Sequence, residues 1–280
     1  MRDDTPGPGG SVRRVTKIAV VGHVEWVDFL RVGHLPVRDE VQRAERAAIH
    51  AGGGAVVAAA VLADLGAEVD FFCAVGSDAN GDAAEAELTR RGIRVHAARR
   101  PGPTREVLTL LDDSGERTII TLGERLQPRG EDELDWDRLE GSPGVYFTAG
   151  DLAAVRHARR ARELVVTPRI RERLGEQEVT ADAVVFSASD ADEVRWAEKL
   201  QSHARLMVAT EGKAGGRWCG ESEGRWTAVT PPGPVRDSYG CGDAFAAGFT
   251  YGLATGTSVS EAAAIGARCG AEMLTRVGAP

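Results

Sequence analysis

Short β-branched runs that close on glycine alternate, along most of this 280-residue chain, with small-residue stretches at helical spacing. Few folds accommodate such a rhythm. Val15 to Gly22 (VTKIAVVG) reads as a buried strand. Gly52 to Gly66 opens on three glycines, continues as an Ala-rich helix and stops at Leu65-Gly66. EVDFFCAVG then gives a second strand, and a helix from about Gly81 to Arg91 ends at Gly92. Strand, helix, strand, helix predicts a parallel sheet with helices on both faces. Further strands are expected at Gly144–Gly150, Ala181–Ser189 and Ala204–Thr210, with a hairpin turning at Gly220 to Gly224. Two small-residue helices close the chain, about Cys241–Leu253 and Ser260–Arg276. The fold class is α/β, a doubly wound and mostly parallel sheet.

Two segments break the rhythm. Residues 30–49 are polar and irregular around Pro36, and residues 93–122 read as strands (VLTLL, RTIITL) about a turn at Asp112 to Gly115. A small β lid over the ligand edge is one reading, and decorative edge strands are the other. The polar, Gly/Pro-rich residues 1–14 are expected to be a disordered tail, which leaves 15–280 as one α/β domain with the lid segments inserted.

A net charge of -8 supplies no global field for nucleic acid or anionic lipid. The longest apolar run, Ala55 to Ala63, is far shorter than the ~20 residues of a membrane span. Cys73, Cys219, Cys241 and Cys269 are scattered, with no C-x-x-C pair. A reducing cytoplasm is therefore the expected setting.

Chemistry concentrates in DSYGCGDAFAAGF, Asp237 to Phe249. Glycines ahead of a helix let backbone N–H groups converge where the helix dipole favours negative charge, which makes an anion hole. Asp243 at that mouth suits a base that accepts a proton from an attacking hydroxyl. An aspartate at a helix start is also an ordinary cap, and the fragment by itself leaves both readings standing.

The same stretch resembles the D-T-x-G-A-G-D-x-F signature of the PfkB/ribokinase family of carbohydrate kinases. GGGAVVAAAVLADLGAEVDFFCAVGSDANGD, Gly52 to Asp82, is similar to that family's N-terminal pattern; Asp190 to Glu193 resembles its N-x-x-E motif, and Thr210 to Gly215 its T-x-G-x-x-G. The four motifs stand in the family's order and span about Val15 to the C-terminus. The resemblance implies a ribokinase-like fold and transfer of the γ-phosphoryl group of ATP to a hydroxyl of a sugar or sugar-like molecule. It implies Asp243 as base, with Gly240, Cys241 and Gly242 supplying the anion-hole amides. Glu193 and Asp190 would organise Mg²⁺, and Thr210, Gly212 and Gly215 would line the nucleotide site. Asp28, Gly53 and Gly54 would bind substrate, with Arg105 a further candidate on a lid strand. Asp237 and Ser238 lie where related enzymes often bind a monovalent cation, and a homodimer through the lid is compatible with the family.

Several positions depart from the pattern. Val57 stands where many sugar-binding members carry Asn, Asp190 replaces Asn, and Cys241 replaces Ala. Asp28 sits one residue farther from Gly22 than usual, so Glu25 competes for its role. His23 and Trp26 lie near the expected pocket, while Trp136, Trp196, Trp218 and Trp226 read as packing residues. A nucleoside kinase of the same fold and a non-catalytic sugar or nucleotide sensor are the alternatives. A nicotinamide site is excluded, because GHVEWV lacks the G-x-G-x-x-G spacing.

Overall fold

The computed structural model describes residues 15–112, 117–170 and 179–278, so the tail expected over 1–14 and part of the turn expected at Asp112 to Gly115 lie outside it. In the large sheet, β1 (Lys17–Val21) lies between β4 (Glu68–Gly76) and β8 (Gly144–Phe147). β5 (Arg94–Arg100) flanks β4, and β9 (Leu164–Val166), β10 (Ala181–Ser187) and β11 (Ala204–Thr210) extend beyond β8. These seven strands run parallel. The antiparallel strands β12 (Gly216–Gly220) and β13 (Gly224–Trp226) form the far edge.

Side-chain alternation explains why both faces are covered. Ile18 and Val20 enter one core with α1 (Gly54–Asp64), α2 (Ala79–Arg90), α5 (Cys241–Ala254) and α6 (Val259–Met273). Ala19 and Val21 enter a second core with α3 (Leu152–Ala158) and α4 (Ala191–Leu200). The doubly wound sheet is thus the expected one. Winding starts at β1, moves out through β4 to β5, then returns to β8 on β1's other side. The chain reverses between β1 and β8, and a crevice outside the carboxyl ends of the strands is where such folds bind ligands.

A second, four-stranded sheet has the order β3-β2-β6-β7, from β2 (Glu25–Arg31), β3 (Glu45–Gly52), β6 (Glu106–Leu111) and β7 (Arg117–Leu122). Its composition differs from the lid segments read at 30–49 and 93–122. Arg94–Arg100 pairs instead with β4 in the large sheet, where Arg94 and His96 meet Asp70 and Arg100 meets Asp132. Ion pairs suit an edge strand, and they gave β5 the polar look of a surface hairpin. Conversely, Glu25–Arg31 is a central strand of the small sheet. Val27 and Phe29 are buried on one face while Trp26 and Leu30 are half-buried on the other, which hides the two-residue period. No helix among the described residues is long and apolar enough to cross a membrane.

Candidate active site

The loop before α5 is bonded to its surroundings on several sides, beginning with the Arg236 N–H to the Leu274 oxygen at 2.8 Å. The buried Asp237 carboxylate accepts the Tyr239 N–H at 2.9 Å and the Gly278 N–H at 3.2 Å, and Arg117 reaches it at 3.4 Å and also bonds the Ser238 hydroxyl. The Tyr239 hydroxyl in turn accepts the Gly53 N–H at 2.8 Å, tying this loop to the start of α1. Gly240 then takes φ 69°, ψ 5°, in the left-handed region. A Cβ there would also stand 2.8 Å from Val57 Cγ2. Val57, fully buried, packs under the glycine turn, so the residue that replaces the family's Asn serves the loop.

No side chain caps α5. Its first amides, which have no partner within a helix, belong to Cys241 and Gly242, and both residues border a cavity of about 610 Å³. Gly53, Gly54, Gly240, Asp243, Asp190, Glu193 and Thr210 border the same cavity. The carboxylate of Asp243 accepts the Tyr146 hydroxyl at 3.0 Å. It lies so close to α1 that a Cβ on Gly54 would collide with it. Burial pushes the Asp243 pKa above the ordinary carboxylate range; the Tyr146 hydrogen bond and the Arg169 charge oppose that, and Glu193 adds to it. Tyr146, buried in β8 beside a carboxylate, is held protonated and remains a donor.

At the far part of the cavity, Asp190 caps α4 by accepting the Asp192 and Glu193 N–H groups on Oδ1. Glu193 accepts Arg169 at 2.8 Å and the Ser187 N–H at 2.9 Å. No cluster of three or more His, Cys, Asp or Glu gathers among the described residues. An all-protein cage for Mg²⁺ is therefore absent there, yet two carboxylates bordering the cavity fit a Mg²⁺ that keeps its waters and is shared with phosphates. Thr210 borders the cavity; Gly212 and Gly215 form the tight turn behind it, closed by the Glu211 N–H to Gly215 oxygen bond of 2.8 Å, and do not border it.

The residues expected to bind substrate differ from expectation at Asp28. Asp28 does not border the cavity and instead forms a forked pair with Arg46, at 2.6 to 3.0 Å. Glu25 borders it. The two are three apart on one strand and face opposite sides of the sheet, so only one can point inward. Glu25 pairs with Arg105 at 3.3 Å, and burial raises its pKa against that arginine's pull. His23 also borders the cavity; burial and the charges of Arg125, Arg105 and Arg169 push its pKa down to about 3, which leaves it neutral. Trp26 does not border the cavity. Tyr146, Arg117, Arg125 and Arg169 were not anticipated. They come from separate segments, and the registers of β7 and β8 with the paths of the loops after β7 and β9 bring them to one cavity.

The sequence matches the pfkB family carbohydrate kinase profile over residues 15–280. An ATP-dependent ribose-1-phosphate kinase of Halopiger xanaduensis is 30% identical over 283 residues, covering 95% of this chain and 94% of that one. Among solved structures, the ribokinase of Arabidopsis thaliana with ribose and ATP superposes with a TM-score of 0.76 at 17% identity, covering 95% of each chain. A nucleoside kinase of Methanocaldococcus jannaschii gives 0.74 at 18% identity, covering 95% of this chain and 93% of that one.

Proposed function

Because the chain belongs to the pfkB family of carbohydrate kinases, and is accordingly a phosphotransferase acting on a sugar hydroxyl, we propose that Asp243 is the base that receives the hydroxyl proton. The observation that carries this reading is one carboxylate, raised in pKa, at the uncapped mouth of α5 and in one cavity with Asp190, Glu193 and Thr210. A carboxylate whose pKa burial raises is a better proton acceptor than a solvated one. The acceptor oxygen attacks the γ-phosphorus of ATP, its proton moves to Asp243, and ADP departs. Developing charge on the transferred group is met by the amides of Gly240, Cys241 and Gly242 and by Arg169. Asp190 and Glu193 would hold Mg²⁺ at the nucleotide, where the ion would neutralise phosphate charge. Gly53, Gly54, Glu25 and Arg105 are assigned to the acceptor, and Thr210 to the nucleotide, with the turn at Gly212 and Gly215 positioning the backbone behind it.

A coupled assay of ADP release over sugars and nucleosides tests this. Turnover confined to nucleosides would replace the sugar reading with the nucleoside one. Binding of ATP and sugar with no ADP formed would make the protein a sensor. A monovalent cation beside Asp237 would compete with Arg117 for one carboxylate, so exchanging K⁺ for tetramethylammonium in that assay decides its role. The small sheet's outer face exposes Ile49, Ile120 and Leu122. A homodimer through that face is the assembly this reading expects, measurable by light scattering.

A further inference from the structure

Four arginines border the cavity, and the carboxylates there do not use them all. Arg117 is engaged by Asp237 and Ser238, and Arg169 by Glu193. Arg105 meets Glu25 at 3.3 Å, but its Nε is buried with no hydrogen-bond partner. Arg125, on the loop after β7, makes no hydrogen bond or ion pair among the described residues, and Arg105 and Arg169 are its charged neighbours along with Glu25. Two guanidiniums facing one space repel unless an anion fills it. A neutral sugar offers hydroxyls only and leaves that repulsion in place. A phosphate monoester brings up to two negative charges and oxygens that match the planar guanidinium fork.

The ion pairs also order the cavity. Arg105 pairs with Glu25 at 3.3 Å and His23 lies 3.6 Å from Glu25, whereas Arg169 pairs with Glu193 at 2.8 Å. Arg125 adds its charge to Glu25 and His23, so Arg105 and Arg125 stand together on the Glu25 side. We infer that the acceptor carries its own phosphate group, bound by Arg105 and Arg125, and that the substrate is a phosphorylated sugar. Glu25 and His23, which border the same cavity, would meet its hydroxyls. Transfer then forms one O–P bond on a free hydroxyl, breaks the β,γ-bridge of ATP, passes the proton to Asp243 and releases a sugar bisphosphate with ADP.

This inference rests on the phosphotransfer reading above, and its test separates the two. The kcat/KM values of ribose 1-phosphate, ribose 5-phosphate and fructose 6-phosphate are compared with those of ribose, fructose and gluconate, in the parent protein, Arg125→Gln and Arg125→Lys. At least one sugar phosphate is expected to exceed its parent sugar about a hundredfold, with gluconate below it. Arg125→Gln should shrink that preference by about tenfold to a hundredfold, chiefly through KM, and Arg125→Lys should restore part of it. Neutral sugars used as well as their phosphates, gluconate used best, or a preference untouched by Arg125→Gln each overturns the inference and leaves the kinase reading intact. If no acceptor yields ADP, the kinase reading fails; calorimetric binding of the same compounds then decides the subsite, with tighter binding of a sugar phosphate lost in Arg125→Gln supporting it and equal binding overturning it.

Discussion

Helices α5 and α6 are neighbours in sequence and in space, both built from alanine and glycine, and packed so closely that a Cβ on Gly248 would stand 2.9 Å from the Gly266 Cα. Each carries a carboxylate at its third helical position, Asp243 in α5 and Glu261 in α6. Their surroundings are opposite. Glu261 closes a capping box, accepting the Ser258 N–H at 2.9 Å and the hydroxyl at 2.7 Å, while the Ser258 oxygen accepts the Glu261 N–H. Those bonds lower the Glu261 pKa. Asp243 bonds across to Tyr146, abuts Gly54, and has its pKa raised by burial. One helix start satisfies itself; the other has no side-chain cap, holds the Cys241 N–H to the Ser238 oxygen only at 3.5 Å, and turns its carboxylate to the cavity. Position within a helix does not fix the chemistry, and what the first turn is bonded to does.

The comparison breaks most sharply in turnover. Asp243→Asn is expected to lower kcat by about 10² to 10⁴, whereas Glu261→Gln leaves kcat unaltered; equal losses in steady-state assays would show that the two positions are not functionally distinct. Gly54→Ala comes next. Its methyl must displace the Asp243 carboxylate, and a loss of about a hundredfold in kcat/KM is expected, with circular dichroism confirming the fold. Tyr146→Phe removes a donor that stabilises the ionised carboxylate, so the acid limb of kcat/KM should move to higher pH and turnover fall about tenfold, measured across a buffer series. Stability gives the smallest effect. Ser258→Ala should lower the melting temperature by about 2–4 °C without touching activity. The two carboxylates should also differ in how pH acts on stability. Glu261, with a depressed pKa, contributes stability above its unfolded pKa that is lost as pH falls through the folded value. Asp243, with a raised pKa, stabilises only at acid pH and loses that contribution as pH rises through its folded value. Asp243→Asn should therefore melt no lower than the parent at pH 7, and calorimetry at several pH values checks both signs.

Much of this was legible in the chain. The glycine-closed strands and Ala-rich helices announced the large sheet because a buried parallel strand and a close-packed helix each leave a strong local pattern. Gly240 to Asp243 stood out for the same reason: glycine before a helix is a local backbone demand. The small sheet was harder, since β2 is apolar on both faces and β5 carries the charges of an edge. The choice between Asp28 and Glu25 turned on strand parity, which spacing from Gly22 did not reveal. Tyr146 stands inside the strand GVYFTAG, and Arg117, Arg125 and Arg169 belong to no motif. Their meeting depends on register and loop path, which are long-range properties with no short motif.

The pH profile of kcat/KM, measured in parallel on the parent and on the residual activity of Asp243→Asn, tests the proton-acceptor role of Asp243 most directly. The account predicts an acid limb above the ordinary carboxylate range in the parent that is missing from the variant. The same limb persisting in Asp243→Asn would assign the titrating base to another group and contradict it.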